Sequence, residues 1–175
     1  DLTFLENNTI LFTSDDRNMY AYDSEGNEIF NKSFPVAPKN IASSNNGEII
    51  ITNTASSNIV EVMNENGEDV ATIDIGFYIE TLNISDNGEW IVVAGADQIL
   101  RVFNSDLEPV RDIPIGSVIN DVEIDNDGNV VVGTDSSTIE GFDESGNAIF
   151  TFSTDWRVTS IDLSDDGMYV AGADL

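Results

Sequence analysis

Apolar residues recur along the chain in four arrangements, and each is a strand pattern. The first is a spaced triplet: Ile79, Leu82 and Ile84, then Ile119, Val122 and Ile124, then Val158, Ile161 and Leu163, with a weaker copy at Pro38, Ile41 and Ser43. The second is a near-continuous apolar run at 49–51, 90–94 and 130–132, as expected of strands buried on both faces, with Trp90 in the core. The third alternates. Met19 and Ala21, Val60 and Val62, Leu100 and Val102, and Ile139 and Gly141 share one face, while Tyr22, Met63, Phe103 and Phe142 take the other. Fourth strands are expected at 27–34, 68–74, 108–113 and 147–152. The intervening residues are Gly, Asn, Asp, Ser or Pro, which is turn chemistry, and no helical period is present.

The arrangements repeat with a fixed period. Turn positions Asn8, Gly47, Gly88, Gly128 and Gly167 are 39, 41, 40 and 39 residues apart. Asn8 fits because Asn best replaces Gly where φ must be positive. A second anchor, Asp23, Asn64, Asn104 and Asp143, steps by 41, 40 and 39. Two independent anchors with one period near 40 predict a radial array of four-stranded sheets, whose placement around an axis protects the sheet edges. The expected fold is therefore all-β: a β-propeller of four-stranded antiparallel blades, treated as a single domain over 1–175 or part of a larger propeller. Residues 2–15 open it as a shortened first pair. After four full units one strand pair remains, from Arg157 through an Asp165-Asp166-Gly167 turn to Asp174. A closed ring needs every blade complete, so the count is expected of a piece of a larger propeller, of a blade finished by another segment, or of a five-bladed ring with one half-built blade.

The chain has 175 residues, of which 41% are hydrophobic, enough for a real core. Charge changes the picture more. The 33 acidic residues face only 6 basic ones, a net charge of -27 spread along the whole length. Such a surface repels nucleic-acid phosphates, which excludes nucleic acid as a partner. The strong period argues against disorder and for adaptation to concentrated salt, where counterions screen repulsion over about 3 Å at 1 M. There is no Cys and no His, so disulfides, thiol nucleophiles, His acid–base chemistry and ordinary zinc sites are excluded. No run approaches the ~20 apolar residues of a membrane span. The chain starts at Asp1 without a signal peptide and is expected to be processed or cut from something longer.

The segment VTSIDLSDDGMYVAGAD, residues 158–174, is similar to the strand-turn-strand core of WD-repeat propellers. MYAYDSEGNEIF (19–30) and IEGFDESGNAIF (139–150) resemble the repeat of pyrroloquinoline-quinone-like propellers. The chain lacks the Gly-His and Trp-Asp dipeptides of WD repeats. It carries Phe30, Ala71, Arg111 and Phe150 where the quinoprotein repeat has a docking Trp, so no quinone or other cofactor is expected. The resemblance implies the architecture and leaves function to the residues.

Three candidates follow. On the first strands, Glu80, Asp121 and Ser160 are placed in one row and Asn83, Glu123 and Asp162 in another. If these strands line a central channel, Glu80, Asp121, Glu123 and Asp162 form a possible carboxylate ring for a hard cation. The stretch 125–129, Asp-Asn-Asp-Gly-Asn, is loop-like but lacks the 12-residue spacing and distal Glu of a calcium loop. Phe77, Tyr78 and Trp156 precede first strands and are candidate contact anchors. No catalytic residue is assigned. The expected role is a non-enzymatic interaction or structural module on or outside the cell of a salt-adapted microbe, presenting loops to a protein or glycan partner, or self-assembling through unpaired blade edges. The competing reading is a ligand-binding or catalytic propeller, either a degenerate quinoprotein or a carboxylate glycosidase.

Overall fold

The computed structural model describes residues 1–5, 7–45, 47–164 and 167–175. Asp165 and Asp166 of the last turn lie outside the described residues. All eighteen elements among those described are strands. They fall into two compact units, Asp1–Ile79 and Glu80–Leu175.

The first unit holds two sheets, each ordered as its strands follow in the chain. β1 (Leu2–Phe4), β2 (Ile10–Thr13), β3 (Asn18–Tyr22) and β4 (Glu28–Ser33) form one, and β5 (Pro38–Ser43), β6 (Ile50–Thr54), β7 (Ile59–Met63) and β8 (Asp69–Asp74) the other. Leu11, Met19 and Ala21 of the first sheet pack on Ile41, Ile50 and Met63 of the second. β9 (Ile79–Ile84) starts at the boundary and, with β10 (Trp90–Gly95), β11 (Ile99–Asn104) and β12 (Pro109–Pro114), makes the next sheet. Then come β13 (Ile119–Ile124), β14 (Val130–Thr134), β15 (Thr138–Phe142) and β16 (Ala148–Ser153), and a final two-stranded sheet of β17 (Val158–Leu163) and β18 (Val170–Asp174). In the second unit Val92, Leu100, Val122 and Val132 join one core cluster, and Val158 and Ile161 of β17 pack on Val131 and Ile139 in another. These are four full blades and a half blade, with fourth strands within about a residue of their expected bounds.

The period comes from turn chemistry. At the second anchor one side-chain oxygen accepts two backbone N–H groups, two and four residues on. Asp23 takes those of Glu25 and Asn27, Asn64 those of Asn66 and Glu68, Asn104 those of Asp106 and Glu108, and Asp143 those of Ser145 and Asn147, all at 2.8–3.1 Å. Asp and Asn serve equally because only an acceptor oxygen is needed. These bonds hold the Asp23 and Asp143 carboxyls below the usual range, the Asn27 and Asn147 side chains contributing most. In the first turn of three blades a Ser hydroxyl does comparable work: Ser44, Ser85 and Ser164 accept from Ile49, Trp90 and Tyr169.

The Gly of each turn sits at positive φ, and Asn8 takes its place at φ 61°. The outer turn of the third blade departs from the rule. Gly26, Gly67 and Gly146 have φ of 82°, 75° and 81°, but Leu107 holds the position at 63°. A γ-branched side chain there costs about 1 kcal/mol relative to Gly. Leu107→Gly is expected to raise stability by roughly 0.5–1 kcal/mol, since relief of strain outweighs the added chain entropy. Chemical denaturation checks this, and a lower midpoint would refute it.

Candidate functional site

The inner strands carry the acids singled out from sequence, and their places after each strand's first apolar residue decide which of them align. On β13 the pairing with β14 jumps from Ile119 to Asp121, and on β17 the pairing with β18 jumps from Val158 to Ser160. Asn120 and Thr159 are the extra residues. Counting from the strand's first apolar residue, Glu80 aligns with this pair, and Thr81 is the counterpart of Asp121. The sequence-derived row of Glu80, Asp121 and Ser160 is thus out of step by one residue at Glu80. Asn83, Glu123 and Asp162 do share a position.

Asp121 is engaged by its own backbone. Its Oδ1 accepts from the Val122 N–H at 3.0 Å, and its Oδ2 from the Ile161 N–H at 2.9 Å and the Ser160 hydroxyl at 3.2 Å. Burial raises its pKa, and these donors pull the other way. The first unit repeats the device. Asp1 Oδ1 accepts from the Leu2 N–H at 2.9 Å and Oδ2 from the Ile41 N–H at 3.0 Å. In each case one carboxylate clips an inner strand to the inner strand 40 residues on. Asn120 adds a bond from its amide to the Val158 carbonyl, 2.8 Å, and Asn83 one to the Val122 carbonyl, 3.3 Å. Removing the carboxylate as Asp121→Ala leaves the Ile161 N–H without this acceptor and is expected to cost about 1–3 kcal/mol. Thermal unfolding measures it, and an unchanged midpoint would show the clip to be dispensable.

Glu123 lies beside this clip, half-buried on β13. Burial, and then the charges of Asp121, Asp162 and Asp86, push its carboxyl up to about 8, against a hydrogen bond from Asn83. It is protonated at neutral pH, a neutral donor among charged acids. Among the described residues, no three acidic side chains converge to hold a metal ion. Asp125 is consumed by its turn: Oδ1 accepts from the Asp127 and Asn129 N–H groups, and Oδ2 from the Asn129 amide.

The aromatic candidates are exposed: Phe77 49%, Tyr78 62% and Trp156 66%. Phe77 and Tyr78 follow the Gly76 turn of the first unit, and Trp156 precedes β17 in the second. Trp90, expected in the core, is only half-buried. It stands at the start of β10 over Gly128, where a Cβ would approach its ring to 3.1 Å, and the Arg111 guanidinium covers it at 5.9 Å. In the first unit a recess of about 220 Å³ is lined by Asp1, Thr13, Asp15 and Lys39 among others, below the ~300–1,000 Å³ of usual small-molecule sites.

Sequence reasoning expected unpaired blade edges and did not name the exposed residues of β16 and β18. β18 is exposed at all five residues, whereas β14 is buried at all five and β10 at five of six. All six residues of β16 are exposed, with Phe152 at 61% and Ile149 at 59%. The turn before β18 adds Met168 and Tyr169, both above 70%.

A model of the WD domain, G-beta repeat family matches residues 70–104. No match to a curated protein sequence was found. Among solved structures the chain superposes on a chain of Kuenenia stuttgartiensis hydrazine synthase with a TM-score of 0.82 and 20% identity, over 98% of this chain and 54% of that one. The chain thus spans about half the length of that neighbour, and the likeness is one of fold. The consecutive four-stranded sheets, the WD match within them and this superposition together identify the chain as a β-propeller repeat protein.

Proposed function

We propose that the chain is a non-enzymatic interaction module that binds a protein partner through exposed aromatic residues in the connections leading into inner strands, Phe77 and Tyr78 before β9 and Trp156 before β17. The carrying observation is the exposure of these large aromatic side chains, Tyr78 at 62% and Trp156 at 66%, in corresponding connections of two blades. Exposed contiguous apolar surface marks interaction sites, and aromatic anchors dominate their energetics. The WD match supports the same reading, since such repeats serve as contact platforms. A glycan is the competing ligand. The acidic composition supports a working place in concentrated salt, on or outside a microbial cell. A photo-crosslinking residue at Tyr78, used in high salt with native extract, is expected to give a discrete protein adduct identifiable by mass spectrometry. The same residue at Val110, exposed on β12, serves as the control. Adducts no different from the Val110 control would refute the reading.

One observation favours a catalytic propeller. Glu123 is a protonated carboxyl beside the ionisable Asp121, the pairing of unlike carboxyls that glycoside hydrolysis uses. The clip bonds on Asp121 weigh against it, because they hold that carboxylate to backbone N–H groups. Turnover of a polysaccharide panel that disappears in Glu123→Gln would overturn the non-enzymatic assignment.

A further inference from the structure

Asparagine followed by glycine is the pair most open to loss of the side-chain amide, because glycine has no Cβ to hinder attack by its nitrogen. The chain holds three such pairs, Asn46-Gly47, Asn66-Gly67 and Asn87-Gly88. Asn46 lies outside the described residues. The other two are closely matched. Their surroundings in sequence, Glu65-Asn66-Gly67-Glu68 and Asp86-Asn87-Gly88-Glu89, differ only by Asp for Glu at the first place. Both asparagines are exposed. Gly67 and Gly88 have φ of 75° and 73°, and their N–H groups donate to the Asn64 carbonyl at 2.9 Å and the Ser85 carbonyl at 2.8 Å.

The asparagine side chains are where the two pairs part. Asn87 is tied at both ends of its amide. Its Oδ1 accepts from the Ser85 hydroxyl at 2.7 Å and from the Glu89 N–H at 3.0 Å. Its Nδ2 donates to the Glu89 carboxylate at 3.1 Å and to the Asn126 carbonyl, in the next blade's inner turn, at 3.4 Å. Asn126 Oδ1 in turn accepts the Asn87 N–H at 2.9 Å. Asn66 bonds through its backbone N–H, which donates to Asn64 Oδ1 at 3.0 Å, and its side-chain amide has no hydrogen-bond partner among the described residues.

The reaction needs the side chain to swing until Cγ meets the nitrogen of the following glycine. A nitrogen–Cγ bond forms as the Cγ–Nδ2 bond breaks. The glycine proton passes to a solvent base, and ammonia leaves after taking a proton from water. Water then opens the cyclic imide at either carbonyl and gives aspartate or isoaspartate. Water is the sole co-reactant and nothing is oxidised. At Asn66 the swing breaks no side-chain hydrogen bond, whereas at Asn87 it breaks those that hold the amide.

We infer that Asn66 is a site of spontaneous deamidation in the folded chain, and that its tethers, one of them to the neighbouring blade, protect Asn87. Isoaspartate at 66 lengthens the outer turn of the second blade by a main-chain carbon. It spoils the span over which Asn64 Oδ1 reaches the N–H groups of both Asn66 and Glu68, each at 3.0 Å. It also displaces Gly67 from beneath the Phe30 ring, where the fit is so close that an added Cβ would fall 2.5 Å from it. The modified chain is expected to unfold at a lower denaturant concentration than the fresh one.

The test ages the intact chain in high salt and mild alkali and follows both asparagines by peptide mapping with mass spectrometry. Asn66 is expected to convert about tenfold faster than Asn87 or more, the factor that one or two ordinary hydrogen bonds supply. In guanidinium the two are expected to convert at similar rates, because their flanks are alike. Glu89→Ala removes a partner of the Asn87 amide at an exposed position and is expected to speed loss at 87 roughly threefold, with 66 unchanged. Equal rates in the folded chain, faster loss at 87, or the same bias in guanidinium would each overturn the inference. An unaltered rate at 87 in Glu89→Ala would overturn the protective role of the tethers.

Discussion

Transferred from about 3 M salt to 0.1 M, the chain is expected to lose most or all of its stability and to unfold cooperatively. The driving quantity is the net charge of -27 on 175 residues. Screening acts over about 3 Å at 1 M and about 10 Å at 0.1 M. In the dilute buffer each exposed carboxylate therefore feels its neighbours, and unfolding spreads the charge over a larger volume. Six cations can compensate only a minority of 33 acids. Lys32–Asp69 and Arg101–Asp97, both 2.6 Å, tie down two of the six cations. A shift of several kcal/mol matches the whole stability of an ordinary domain, about 5–15 kcal/mol. Circular dichroism through a salt series measures it. An unfolding midpoint within about 5 °C across that range would refute salt dependence and, with it, the salt-adapted reading.

The same charge explains why architecture was legible in the sequence and the site less so. Asp23, Asn64, Asn104 and Asp143 were readable as anchors because each makes the same two backbone bonds, and a geometric need repeated four times leaves a periodic residue type. Asn8 was readable for the same reason, through its positive φ. Leu107 breaks that rule, so its left-handed backbone had no residue signal. Of the two acidic rows, Asn83, Glu123 and Asp162 share a position, while Glu80 stands one place early: it follows Ile79 directly, as Asn120 follows Ile119, and Thr81 is the counterpart of Asp121. Nor could composition single out Glu123 or Asp121 among 33 acids. Their difference lies in burial and in which N–H groups happen to face them, properties of the folded inner strands. Trp90 packs against the core of the second unit as expected, but at the end of its strand, where it is only half-buried and the Arg111 guanidinium covers its outer side. Phe30 and Arg111 share a docking role over turn glycines although one is aromatic and one cationic.

Glu123→Gln is expected to stabilise the protein at pH 8 and above and to flatten its pH dependence between about 4.5 and 8. Burial and the charges of Asp121 and Asp162 on β13 and β17, and of Asp86 in the β9–β10 turn, raise the folded carboxyl from 4.5 to about 8. Because the folded pKa is the higher one, between the two values the folded chain keeps a proton that the unfolded chain has released. Stability then falls as pH rises, by up to about 1.4 kcal/mol per unit. Below 4.5 both states are protonated and the contribution is flat. Above 8 both are ionised, and the folded state carries the full cost of a charge among charges, at most about 5 kcal/mol when integrated and well below that with solvent reaching the half-buried group. Gln keeps the shape and the hydrogen-bonding amide partner Asn83 while removing the titration. The variant and the parent should therefore agree near pH 4.5 and diverge upward. Salt separates the two causes: at 3 M the contribution from the neighbouring acids is screened more than the burial cost, so the gap narrows without closing. A variant no more stable than the parent at pH 8 would mean that Glu123 is ionised and solvated in the fold, and the protonated-acid geometry that any carboxylate catalysis there requires would go with it.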